Sequence, residues 1–185
     1  NMFDGVNVMR YRDGSIGPRP GTKTVTFDSG PSAGVVWAFA GLDPTKRWEK
    51  GQKRPWNADL KVLAYKIGES FVKVQNNKRD VYGKLYVQRK AYEQARNERG
   101  ELADQATAKL ERFKIGKDTD ARKHYEAGKL PPAHIHARAR RWVTKLFPAH
   151  FWEVAYERHY GTKPPLPYPI QFLGPVDYVP PPKSE

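Results

Sequence analysis

The 185-residue chain has no cysteine at all. That excludes disulfides, thiolate zinc sites and cysteine nucleophiles together, and it fits a reducing compartment. No uninterrupted apolar run approaches the roughly 18–20 residues that a membrane span needs. The opening "NMFDGVNVMRYRDG" lacks a basic region followed by an apolar stretch, so no secretory signal is expected there. Serine is scarce, at positions 15, 29, 32, 70 and 184, and only Ser70 falls in an expected helix. There is no Walker loop, dinucleotide glycine fingerprint or nucleophile-elbow serine. Acidic residues are outnumbered, 20 against 33 Lys and Arg, which leaves a formal charge of +13. An excess of that size speaks of partners rather than of fold. Release of condensed counterions makes nucleic acid the expected partner, DNA or structured RNA, with cytoplasmic localisation and no membrane.

What is present is mainly helical. From Asn57, a plausible N-cap, Leu60, Leu63, Ala64, Ile67, Phe71 and Val74 form one apolar stripe over four turns. A second helix is expected from near Asp80 through a highly charged stretch to Phe113. Gly100 inside it either breaks the helix or is tolerated at about 1 kcal/mol relative to Ala. Residues 114–130 are polar, with room for a short helix between Gly116 and Gly128. A third helix follows Pro131-Pro132, with Ile135, Ala139, Trp142, Val143, Leu146, Phe147, Phe151 and Val154 on a broad apolar face. Pro148 lies within that pattern and is expected to kink or split the helix, because it lacks a backbone donor.

The ends read differently. Residues 5–28 alternate apolar and polar side chains around Asp13-Gly14, as in a hairpin or extended arm. After Gly161 the proline-dense "KPPLPYPIQFLGPVDYVPPP" reads as an extended tail. The expected organisation is an extended or β arm over 1–32, a helical basic domain over 33–160 and a proline-rich tail over 161–185.

Two basic constellations stand out. "GLDPTKRWEKGQKRPWN", residues 41–57, sets Lys46, Arg47, Lys50, Lys53 and Arg54 against Asp43 and Glu49, with Trp48 and Trp56 interleaved. Arg and Lys neutralise phosphates, and Trp stacks on an unpaired base or packs beneath an arginine. The alternative is a solvated loop whose tryptophans fold back onto the core. In "HIHARARRWVTK", Arg138, Arg141 and Lys145 share one helix face flanked by Arg140, which suits a phosphate backbone or an ordinary surface helix. His134, His136, His150, Glu153 and Glu157 invite a metal reading, but no third ligand has a diagnostic spacing. Capping and hydrogen bonding are the expected roles, and neither a metal nor a cofactor is expected.

Residues from about 33 to 182 also carry a resemblance. "WAFAGLDPTKRWEKGQKRPWNADLKVL", "KIGESFVKV", "DVYGKLYVQRKAYEQARNERGELADQAT", "LPPAHIHARARRWVTKLF" and "YGTKPPLPYPI" resemble the C-terminal region of bridge-RNA-guided insertion-sequence transposases. The resemblance implies a helical nucleic-acid-binding module. In that family an acidic nuclease domain and a nucleophilic serine following the segment that matches "AGLDP" cut DNA. Here Thr45, Lys46, Arg47, Trp48, Glu49 and Lys50 follow Pro44, with no serine among them. The expectation is therefore binding without strand cleavage, and no catalytic residue is assigned. The first thirty residues resemble the opening of tailed-phage tail or head-to-tail proteins. That carries an alternative expectation: a virion subunit that uses extended arms for assembly.

Overall fold

The computed structural model describes residues 33–164 and 178–182, with the backbone of 8–10 and 16–18. It divides into two units, residues 1–31 and 32–185. In the first, β1 (Val8–Arg10) pairs antiparallel with β2 (Ile16–Pro18), Met9 opposite Gly17. The remaining arm residues and most of the proline-rich tail lie outside the described residues.

The second unit is helical: α1 (Gly34–Phe39), α2 (Ala58–Lys73), α3 (Tyr82–Glu98), α4 (Ala103–Arg112), α5 (Asp120–Glu126) and α6 (Pro132–Tyr160). The 29-residue α6 is the spine, packing against α1, α2 and α3, while α4 pairs with α5. Its first residue is Pro132, whose fixed φ and missing donor suit the first helical turn. Of the kink or split expected at Pro148, the split does not occur: α6 runs on through the proline as one helix. Burial of Val143, Thr144, His150 and Trp152 on either side of the proline anchors the helix where its own hydrogen-bond ladder is weakest.

The helix boundaries have local causes. Asn57 caps α2, its Oδ1 accepting from Leu60 N–H at 2.9 Å. Asp80 accepts the Gly83 N–H at the start of α3. Gly100 does break the charged helix in two. At φ +78° it closes a Schellman turn, with Gly100 N–H on the Asn97 carbonyl and Glu101 N–H on the Arg96 carbonyl. α1 was not foreseen in the sequence, and its six residues carry no side-chain cap at the start.

Two apolar clusters sit on α6. Tyr86, Ala139 and Val143 form one, flanked by Phe71, Val72, Tyr82, Leu85 and Trp142. Leu102, Ala106, Leu130 and Ile135 form the other, with Tyr125 against them. The expected α2 stripe is only partly used: Leu63 is 50% exposed and Val74 is also exposed. Instead, Ala64 and Gly68 are buried, and an added Cβ at Gly68 would collide with Thr144. The small residue, not the large ones, sets how closely α2 approaches α6.

Between the clusters lies a polar tie. Glu93 on α3 is 2% exposed and accepts from Arg138 Nε on α6 at 2.9 Å and from Arg89 Nη2 at 2.7 Å. Arg96 stands 3.8 Å away. Burial alone would raise the Glu93 carboxyl pKa, but these arginines hold it below the ordinary 4.5. One turn on, Asn97 clasps the Leu130 backbone twice, Nδ2 to the carbonyl at 2.9 Å and Oδ1 from the N–H at 2.8 Å.

Three of the four α6 histidines set Nδ1 against a tyrosine hydroxyl from another element. Tyr125, Tyr86 and Tyr82 hydroxyls stand 3.4, 2.7 and 3.0 Å from Nδ1 of His134, His136 and His150. His150 Nε2 also lies 2.7 Å from the Val179 carbonyl, and Tyr178 donates to Glu153 at 2.7 Å, so residues 178–179 are held on α6. Because a carbonyl only accepts, Nε2 carries the proton. Neutral His150 then accepts from Tyr82, whose hydroxyl pKa burial pushes up to about 12.

Two outcomes follow. Asn97→Ala strands a buried N–H and carbonyl at Leu130 and should cost about 2–3 kcal/mol in urea unfolding; a loss below about 0.5 kcal/mol would contradict the clasp. Burial also holds His150 and His134 below the ordinary 6.5. The unfolded chain therefore takes up protons first as pH falls, so this stability is whole above about pH 6.5 and is lost below it. Glu93 adds a second loss below about pH 4.5. Urea midpoints should fall between about pH 7 and pH 5, and His150→Gln should flatten that fall; parallel profiles for the two proteins would refute it.

Candidate nucleic-acid interface

The basic loop is clipped at its base. Gly41 follows α1 at φ +64° in a Schellman turn, Gly41 N–H reaching the Ala38 carbonyl and Leu42 N–H the Trp37 carbonyl. Asn57 N–H then donates to the Phe39 carbonyl at 2.9 Å, bringing the far end of the loop back to α1. Trp37 Nε1 donates to the Lys145 carbonyl at 2.9 Å and so docks α1 on α6. Asp43 accepts from both the backbone N–H and the hydroxyl of Thr45, and these bonds, helped by Lys46 and Lys145, hold its carboxyl below the usual range.

The two loop tryptophans have separate roles. Trp56 is half-buried against Gly41, where an added Cβ would lie 2.8 Å from the ring, and Lys61 Nζ stands 4.0 Å from its ring centroid. It folds back onto its own scaffold, as the bland alternative expected. Trp48 is 41% exposed, its Nε1 donating to the Gln52 carbonyl at 2.7 Å and the Arg54 guanidinium 5.3 Å from its ring.

Lys46, Arg47, Lys50, Lys53 and Arg54 are all exposed, and none forms an ion pair among the described residues. Glu49, the nearest acid in sequence, accepts from Gln52 Nε2 at 3.1 Å instead. Five positive charges thus project without an ion pair among the described residues, Lys46 alone being near enough to an acid, Asp43, to lower its carboxyl pKa.

The α6 cations fare differently. Arg138 is spent on Glu93 and on Gln105 Oε1 at 2.6 Å. Arg140 pairs with Glu69 and lies 4.7 Å from the Tyr65 ring. Lys145 is half-buried at the foot of the loop, 5.8 Å from the Trp37 ring, where burial pushes its ammonium pKa down and Asp43 opposes the shift. Arg141 alone of the four is exposed. The structure therefore does not gather Arg138, Arg140, Arg141 and Lys145 into one open basic face. Their i, i+3, i+4 spacing was legible, but the carboxylates that meet them come from α2 and α3, far away in sequence.

No protein-family model, curated protein or solved structure matches the chain. Among the described residues, no group of three or more His, Cys, Asp or Glu is placed to hold a metal ion. Nor is any described helix long and apolar enough to cross a membrane.

The base of the loop can be tested directly. Gly41→Ala forces a side chain into left-handed backbone and against Trp56, and should destabilise the protein by about 1–3 kcal/mol in thermal or urea unfolding. An unchanged midpoint would show that the clip is not under that constraint.

Proposed function

We propose that this chain is a non-catalytic nucleic-acid-binding protein that grips phosphates through the loop 46–54. The observation that carries the reading is the contrast in pairing. Arg89 of α3 and Arg138 and Arg140 of α6 are neutralised within the fold, whereas Lys46, Arg47, Lys50, Lys53 and Arg54 are exposed and form no ion pair among the described residues. An unpaired cation keeps its full charge for a polyanion and sacrifices no internal bond on contact. Arg141 extends the same charge on α6. The resemblance of residues 33–182 to transposase C-terminal regions supports the reading, and the lack of a serine after Pro44 assigns binding rather than cleavage.

A second reading, a self-assembling structural subunit, is favoured by the exposed Val62, Leu63 and Tyr65 of α2. A defined oligomer free of nucleic acid, seen by native mass measurement, would support it.

The first reading predicts affinity for DNA or RNA whose logarithm falls linearly with the logarithm of salt concentration. Lys50→Ala, Lys53→Ala and Arg54→Ala together should weaken binding on every sequence and reduce that slope by about 2–3, near 0.9 for each phosphate contact. Changing Lys114 and Lys117, exposed cations outside the loop, should leave affinity within about twofold. Equal losses from the two sets, or no binding at about 50 mM salt, would refute the assignment to the loop.

A further inference from the structure

The basic loop carries a feature that charge alone does not explain. Trp48 is the most exposed of the described tryptophans, yet it is held in place. Its indole N–H is fixed on the Gln52 carbonyl at 2.7 Å, and Gln52 is itself tied to Glu49 through both backbone and side chain. Arg54 lies over the ring at 5.3 Å. The other described tryptophans each have a packing role. Trp37 docks α1 on α6, Trp56 closes the loop base, Trp142 flanks the core and Trp152 is buried. Trp48 has none, and two-fifths of it remains open to solvent.

An exposed indole costs free energy in water, and fixing it by local hydrogen bonds forgoes the rotamer freedom of a mobile surface side chain. A ring that is fixed, partly open and set in a loop of exposed cations is a stacking platform. Each nucleobase has a π face, but a duplex hides those faces between neighbouring pairs. Only a single strand, or an unpaired stretch, can lay a base on Trp48 while its flanking phosphates reach Lys46, Arg47, Lys50, Lys53 and Arg54.

We propose that the loop 46–54 is a single-strand site, with Trp48 stacking one unpaired base beside the phosphate-binding cations. The inference rests on the nucleic-acid reading above and names the form of ligand. Both single-stranded DNA and single-stranded RNA offer this chemistry.

The test uses the full chain with thymidine and uridine oligonucleotides of about 16 nucleotides and a duplex of the same length, at about 50 mM salt. Trp48→Ala should weaken both oligonucleotides about tenfold and leave the duplex unchanged, with Trp48→Phe intermediate. Tryptophan fluorescence should be quenched by the oligonucleotides, and most of that quenching should vanish in Trp48→Phe. Loss on only one of the two oligonucleotides would support the platform and identify which of the two strands it accepts. Duplex binding as tight as single-strand binding, or equal losses on both forms, overturns the stacking role while leaving phosphate contact by the loop intact. Failure of the unaltered protein to bind any of the three overturns both. Because Trp48 is outside the core, an unchanged thermal midpoint is expected for both variants and separates lost contact from lost fold.

Discussion

A carboxylate taken almost wholly out of water organises this protein. Glu93 would pay a large desolvation penalty alone, so its site exists only when guanidinium groups come with it. Arg89 arrives from the same helix and Arg138 from α6, so α3 and α6 can meet in one register without stranding a charge. Asn97 repeats the constraint a turn later by matching the Leu130 backbone. Apolar contacts between the helices tolerate sliding, but a buried ion pair and a double amide clasp do not. The Tyr–His contacts along α6 add further directional matches, and the two apolar clusters fill the space between them.

The same requirement sorts the positive charge. A chain with 33 basic and 20 acidic residues cannot neutralise itself, and the one buried carboxylate among the described residues, Glu93, takes its cations from within the fold. Glu93 and Glu69 draw Arg138 and Arg140 inward. Lys145 sits half-covered, and part of the surplus is left on the loop between α1 and α2. The candidate interface is thus partly a residue of the packing problem: cations lie free there because no buried acid claims them.

Local signals in the sequence were read well, and long-range ones were not. Asn57, Pro132 and the helical periodicity of α2 and α6 act within a few residues, so their consequences appear in the structure as the sequence implies. Gly100 left two outcomes open, and the Schellman turn shows which was taken. At Pro148 the helix does not split, because burial on both sides outweighs one lost local bond. Leu63 and Val74 look core-bound by spacing alone, but Gly68 sets the approach of α2, so they stay exposed. The basic face of α6 had the right spacing and the wrong surroundings, since Glu69 and Glu93 enter from elements dozens of residues away. Of the two loop tryptophans, nothing local distinguishes Trp56 from Trp48; the difference is that Gly41 meets one and not the other.

The bond from Asn57 N–H to the Phe39 carbonyl also gives the loop a kind of independence. Whatever lies between residues 42 and 56 leaves and re-enters the bundle at nearly one point, so the helices do not register its length. Doubling such a loop adds only about 0.6 kcal/mol of closure entropy. The stretch between the two ends is therefore free to lengthen, shorten or change its charges across generations while the bundle stays as it is. The loop can thus change without the scaffold changing with it.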